Sequence, residues 1–111
     1  MQIEDIIQKI DFHDSCVIEL SHDNDKVKLK IDLCMWRQEG YKEGELKEVC
    51  LEFDPAADYI WDSYKAETEI DYDTILNVSY SNGIIKIILY DDFADDGTSI
   101  ITFKCNTVEF T

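Results

Sequence analysis

Apolar residues recur with two different periods along the chain. Ile3, Ile6, Ile7 and Ile10 are spaced for one face of a helix over residues 2–10, and Glu4 and Asp5 stand in its first turn, where the helix dipole favours acids. From residue 16 the period becomes two. Cys16, Ile18 and Leu20 alternate with Val17 and Glu19. His22-Asp23-Asn24-Asp25 has the composition of a hairpin turn. Val27, Leu29, Ile31, Leu33 and Met35 then alternate with Lys26, Lys28, Lys30, Asp32 and Cys34, which predicts a strand with one buried and one wet face. Residues 37–48 are polar, hold two of the four glycines, and read as a long connection or protruding hairpin tip. Val49, Leu51 and Phe53 mark the next strand.

Asp54-Pro55-Ala56-Ala57 has the order of a helix start, an N-cap acceptor followed by proline at the first helical position. Either a helical turn or a strand follows, carrying Ile60, Trp61 and Tyr64. Ile70, Tyr72, Thr74, Leu76, Val78 and Tyr80 return to period two, and Asn82-Gly83 supplies the positive φ angles of a tight hairpin. Ile84 to Tyr90 is apolar on both sides, the pattern of a central strand. After an acidic loop at 91–97, Ile101, Phe103 and Cys105 mark a strand, and Val108 and Phe110 a short terminal one. Short strands with tight turns and no long intervening helices favour antiparallel pairing. The expected fold is mainly β: an antiparallel β-sandwich or strongly bent sheet of about seven or eight strands, with a short N-terminal helix. Residues 1–111 are expected to form a single domain.

Composition narrows the function. The chain carries 25 acidic against 10 basic residues, a formal net charge of −15. That balance argues against nucleic acid, whose binding relies on neutralising phosphates, and against anionic membrane surfaces. It suits a cationic protein partner. The acidic N-terminus lacks the basic-then-apolar pattern of a signal peptide, and no apolar run is long enough to span a bilayer, so a cytoplasmic location is expected. Cys16, Cys34, Cys50 and Cys105 are widely spaced, and are expected to act as buried or half-buried hydrophobes without a zinc site. No cofactor is expected.

Three groups of residues are candidates for chemistry. Phe12-His13-Asp14-Ser15 places an imidazole, a carboxylate and a hydroxyl in a row. In an extended segment, neighbours point to opposite sides and cannot form a hydrolase triad with one another. Local backbone bonding by Asp14 and Ser15 is the simpler reading. Residues 54–73 hold seven acids against Lys65 alone, interleaved with aromatics, and 91–96 add four aspartates. Asp58, Tyr59, Trp61, Asp62 and Tyr64 are the residues expected to meet a basic protein, the aromatics as anchors and the carboxylates as steering charges. A solvated acidic surface over an aromatic core is the plainer alternative. Asp92, Asp95 and Asp96 resemble part of a calcium loop, but the EF-hand position that needs an acid falls on Phe103.

The helix followed by Phe12-His13-Asp14-Ser15, Val17 and Leu20 resembles the opening of a diffuse group of small bacterial all-β proteins with a His-Asp-Ser-type motif. Val49-Cys50-Leu51-Glu52-Phe53, Ile101-Thr102-Phe103-Lys104-Cys105 and Val108-Glu109-Phe110 are similar in layout. Some of that group are similar to immunity proteins of bacterial toxin systems. The resemblance implies binding rather than turnover and carries over no catalytic residues. Three functions follow in order: an acidic binding protein of immunity type; a small hydrolase-like or metal-dependent enzyme using His13 and Asp14; and a structural module that homodimerises through a sheet edge or through Trp36 and the 37–48 connection.

Overall fold

In a computed structural model of the chain, residues 1–34, 46–92, 94 and 97–111 are described. Helix α1 spans Ile3–Lys9 and buries Ile3 and Ile6. Eight strands follow: β1 (Cys16–Asp23), β2 (Lys26–Cys34), β3 (Leu46–Phe53), β4 (Ala57–Asp62), β5 (Asp73–Ser81), β6 (Ile84–Tyr90), β7 (Thr98–Lys104) and β8 (Val108–Phe110). They form one antiparallel sheet in the order β4-β7-β6-β5-β1-β2-β3-β8. The mainly antiparallel β fold with a short helix is as the sequence predicts.

The sheet consists of two four-stranded halves joined by a narrow seam. β1 and β5 share only the register pairs Cys16–Thr74 and Val17–Asp73. Beyond the seam the halves bend until their inner faces meet. The rings of Phe53 on β3 and Phe103 on β7 pack edge-to-face with centroids 5.0 Å apart. The Ala56 N–H donates to the Asp25 carbonyl (2.6 Å), tying the start of β4 to the β1–β2 turn. Between the halves lies one apolar core, with Val17, Leu29 and Ile31 from one side and Ile85, Ile87 and Phe103 from the other.

Local chemistry fixes the turns. Asn24 (φ 53°) closes β1–β2, and Asn82 (φ 53°) with Gly83 (φ 77°) closes β5–β6. These left-handed positions are the ones Asn and Gly occupy at least cost.

Three expectations change, and one open alternative closes. β1 is bulged between Val17 and Glu19, so Val17 and Leu20 are both buried, and the simple alternation Cys16, Ile18, Leu20 fails. β5 starts at Asp73, not Ile70, and is bulged between Ile75 and Asn77; Ile75 faces the core, while Tyr72 and Leu76 are exposed. Each bulge inserts one residue and flips the facing of everything beyond it. Of the two readings open for 55–64, the strand is the one adopted, over Ala57–Asp62. Pairing with β7 and the packing of Tyr59 and Trp61 on the core override the local Asp54-Pro55 cap signal. β3 begins at Leu46, so the connection is shorter than 37–48, and Lys47 and Glu48 pair across to β2. Trp36 and the rest of that connection lie outside the described residues.

Candidate functional site

β4 presents alternating faces because it is a strand. Tyr59 and Trp61 turn inward and pack on the core, and Tyr59 also stacks on His22 with ring centroids 4.0 Å apart. Burial pushes the Tyr59 hydroxyl well above the ordinary tyrosine range. Asp58, Ile60 and Asp62 are exposed, and Asp58 pairs with Lys104 across to β7 at 3.1 Å. The five candidate residues are therefore divided. Tyr59 and Trp61 are largely structural, while Asp58, Asp62 and Tyr64 face outward.

Residues 63–72 cross from the end of β4 to the start of β5, and a buried ionic cluster holds this crossing down. The Lys65 side chain is 4% exposed and that of Asp73 only 1%. Lys65 Nζ lies 2.9 Å from Asp73 Oδ1, 2.8 Å from Asp73 Oδ2 and 3.0 Å from Asp91 Oδ2. Two further bonds anchor the crossing: Trp61 Nε1–H donates to the Lys65 carbonyl (2.7 Å), and the Ser63 and Ser99 hydroxyls meet at 2.6 Å. The Tyr64 hydroxyl donates to Asp91, and the Asp71 N–H donates to Asp73 Oδ1 (3.2 Å).

Burial alone would lower the Lys65 pKa, but its hydrogen bonds to Asp73 and Asp91 outweigh that and hold it above the usual lysine value of 10.5. The bond to Asp91 likewise raises the Tyr64 hydroxyl above 10.0. In both groups the protonated form is favoured by folding. Their stabilisation is complete below the ordinary values and is lost as pH rises through the raised ones. Denaturation midpoints are thus expected to fall as pH climbs above about 10, and to fall less steeply in Tyr64→Phe, which has no hydroxyl to ionise. Urea titrations of both proteins between about pH 8.5 and 11.5 check this; equal slopes would remove Tyr64 from the cluster.

Sequence reasoning passes over this cluster. The available signal was that Lys65 is the one base in an otherwise acidic stretch. The consequence for the surface is direct. The region's single cation is buried and spent on two carboxylates. Tyr64 (57% exposed) precedes Lys65 and Tyr72 (54%) precedes Asp73, so one ion pair anchors the backbone beside both tyrosines. Asp62, Glu69, Asp71 and Asp92 are exposed on the same segments.

The His13-Asp14-Ser15 motif forms the junction between α1 and the sheet. Asp14 takes a left-handed conformation (φ 68°), and its N–H donates to the Ile75 carbonyl (3.0 Å). Ser15 is fully buried; its carbonyl accepts from the Ile75 N–H (2.7 Å), and its Oγ accepts from the Cys34 N–H (2.8 Å). The segment turns here instead of running extended, so the His13 Nδ1 and Asp14 Oδ1 atoms do meet, at 3.3 Å. They lie beside an open cleft of about 390 Å³ that His13 lines with the end of α1 and Leu76–Val78. Ser15 points away into the core, so the three side chains share no site.

Asp92 accepts from the Thr74 hydroxyl (3.0 Å); Asp95 and Asp96 lie outside the described residues. Among the described residues, no group of His, Cys, Asp and Glu is arranged to hold a metal ion. Nor does any described helix have the length and apolarity to cross a membrane. No disulfide joins the four cysteines. Cys34 and Cys105 are buried and Cys16 half-buried, and burial raises the thiol pKa of Cys16 and Cys105. Cys50 departs from expectation: it is exposed, because the outer face of β3 looks to solvent. No protein-family model matches the sequence, and neither a curated protein nor a solved structure shows significant similarity to it.

Proposed function

We propose that the chain is a non-enzymatic binding protein that covers a basic surface of another protein, in the manner of a toxin-immunity pair. One observation carries the reading. Tyr64 and Tyr72 stand exposed in an acidic surround and are held by the buried Lys65–Asp73–Asp91 cluster. Rings carried on an anchored backbone lose less freedom on binding than rings on a loose loop, and exposed tyrosines are favoured interface anchors. The surrounding carboxylates attract a cationic partner and speed its encounter. A nuclease cleft is one such partner surface: its phosphate-binding positions would accept Asp71 and Asp92 in place of substrate. The His-Asp-Ser resemblance points in the same direction.

The test is co-purification with the product of the adjacent gene, followed by titration calorimetry at about 0.05 M and about 0.5 M salt. A complex is expected that weakens steeply with salt. Tyr64→Ala and Tyr72→Ala are each expected to weaken it by roughly 30-fold, the scale of an interface hot spot. No complex with that product, or an affinity indifferent to salt, would count against the reading.

A second reading has one observation behind it, the approach of His13 and Asp14 beside the cleft. Acid–base work by His13 would need Asp14 to orient the imidazole. The same experiment separates the two, because His13→Ala leaves an occluding surface intact and abolishes acid–base turnover.

A further inference from the structure

The outer faces of the two halves differ in character. On β2 and β3 the outer face is a ladder of ion pairs, Lys26–Glu52 at 2.9 Å and Lys30–Glu48 at 3.1 Å. On β4, β7 and β6 it mixes isoleucines with a few polar and charged residues. Ile85, Ile87 and Leu89 on β6 and Ile101 and Phe103 on β7 face the core, so Ile84, Ile88 and Ile100 stand on the outside. Register places Lys86, Thr102 and Ile60 in one row across the strands, and Ile88, Ile100 and Asp62 in the next. Ile60 is 57% exposed and Ile84 40%. This explains why β6 reads as apolar on both sides: one side fills the core, and on the other no described element packs over the sheet face.

We propose that this outer face of β4, β7 and β6 is where a second copy of the chain docks. Charge favours a copy over a cationic partner. The face balances Asp58 and Asp62 against Lys86 and Lys104, on a chain whose net charge is −15. Two such chains meet at least electrostatic cost where each is locally neutral. Lys86 has no ion pair among the described residues. Asp62 lies two strands and one side-chain row from it, roughly 12 Å by standard sheet spacings. A two-fold axis in the plane between the copies, bisecting that separation, sets each Lys86 on the other copy's Asp62. It also sets Ile60 and Ile88 near their own counterparts. The strands of the two copies then cross steeply, as in orthogonal sheet packing.

Strand spacings give the face an area of roughly 450 Å² per copy, or roughly 900 Å² buried in all. That is below the standard interface size, so the dimer is expected to be reversible, with Kd in the micromolar range.

Sedimentation equilibrium of the whole chain from about 1 to about 500 μM tests the proposal, the range being set by that expected Kd. The wild type is expected to shift from monomer to dimer across it. Ile60→Glu, at an exposed position, is expected to remain folded and raise Kd by at least about tenfold, because each new carboxylate would be buried near its counterpart from the other copy. Lys86→Glu and Asp62→Lys are each expected to weaken the dimer, and the double exchange to recover most of the loss, as a direct cross-interface pair requires. A wild type that stays monomeric at the highest concentration would overturn the proposal. So would a dimer indifferent to Ile60→Glu, or a double exchange no tighter than either single variant.

Discussion

Replacing Lys65 with methionine is expected to lower stability by about 3–5 kcal/mol, the cost of leaving a buried carboxylate without its cation. Asp73 is the reason. Its side chain is 1% exposed, and both of its oxygens lie within 2.9 Å of the ammonium, so water does not replace the lost partner. A domain of this size is stabilised by only about 5–15 kcal/mol in total, so the variant would be near the edge of folding. Removing both charges, as Lys65→Met with Asp73→Leu, is expected to recover much of the loss, since an apolar pair of similar volume is often no less stable than a buried ion pair. Urea midpoints of the three variants measure the coupling. If Lys65→Met costs less than about 1 kcal/mol, the cluster behaves as a surface ion pair and no longer accounts for the anchored backbone beside Tyr64 and Tyr72.

The Phe103→Ala variant is expected to lose about 3–5 kcal/mol by a different route, the cavity left in a core that only partly relaxes. Phe103 is 1% exposed and is the ring where the two halves meet, 5.0 Å from Phe53 and 6.3 Å from Tyr59. Phe53→Ala is expected to be similarly costly. The double variant should lose less than the sum, by about 0.5–1.5 kcal/mol, if the ring pair itself contributes. Strict additivity would mean that the two rings act only through the area they bury.

Where backbone demands are local, the chain states them openly. Asn24 and Asn82-Gly83 mark two hairpins because few other residues accept those angles, and strict alternation along β2 announces both its strand and its buried face. The bulges are hidden for a physical reason. Ile18 and Leu76, the residues at which β1 and β5 slip, are themselves apolar, so the sequence reads as unbroken alternation while the facing changes. β4 stays ambiguous in the sequence because Asp54 and Pro55 are good helix starters in isolation, and only the partner strand β7, far along the chain, makes a strand the better choice. The candidate site follows the same division. Its acidic, aromatic character is plain in the composition. Which aromatics face outward depends on the strand assignment, so no local pattern separates Tyr59 and Trp61, packed on the core, from the exposed Tyr64 and Tyr72. The grouping of Lys65 with Asp73 and Asp91 requires the order of β5, β6 and β7, which no local pattern encodes.

The order of strands also determines what counts as a unit of this molecule. β1, β2 and β3 are successive in the chain and adjacent in the sheet, as are β5, β6 and β7. The two remaining strands are traded. β4, which follows β3, lies at the far edge beside β7, and β8, which follows β7, returns to lie beside β3. Each half is therefore completed by a strand from the other half's stretch of chain. The seam between β1 and β5 is slight; besides the shared core, the reciprocal trade links the fates of the halves, so that loss of either strips an edge from the other. Cut within 63–72, the polypeptide would yield two pieces, neither holding all the strands of its own half and each carrying the one the other lacks.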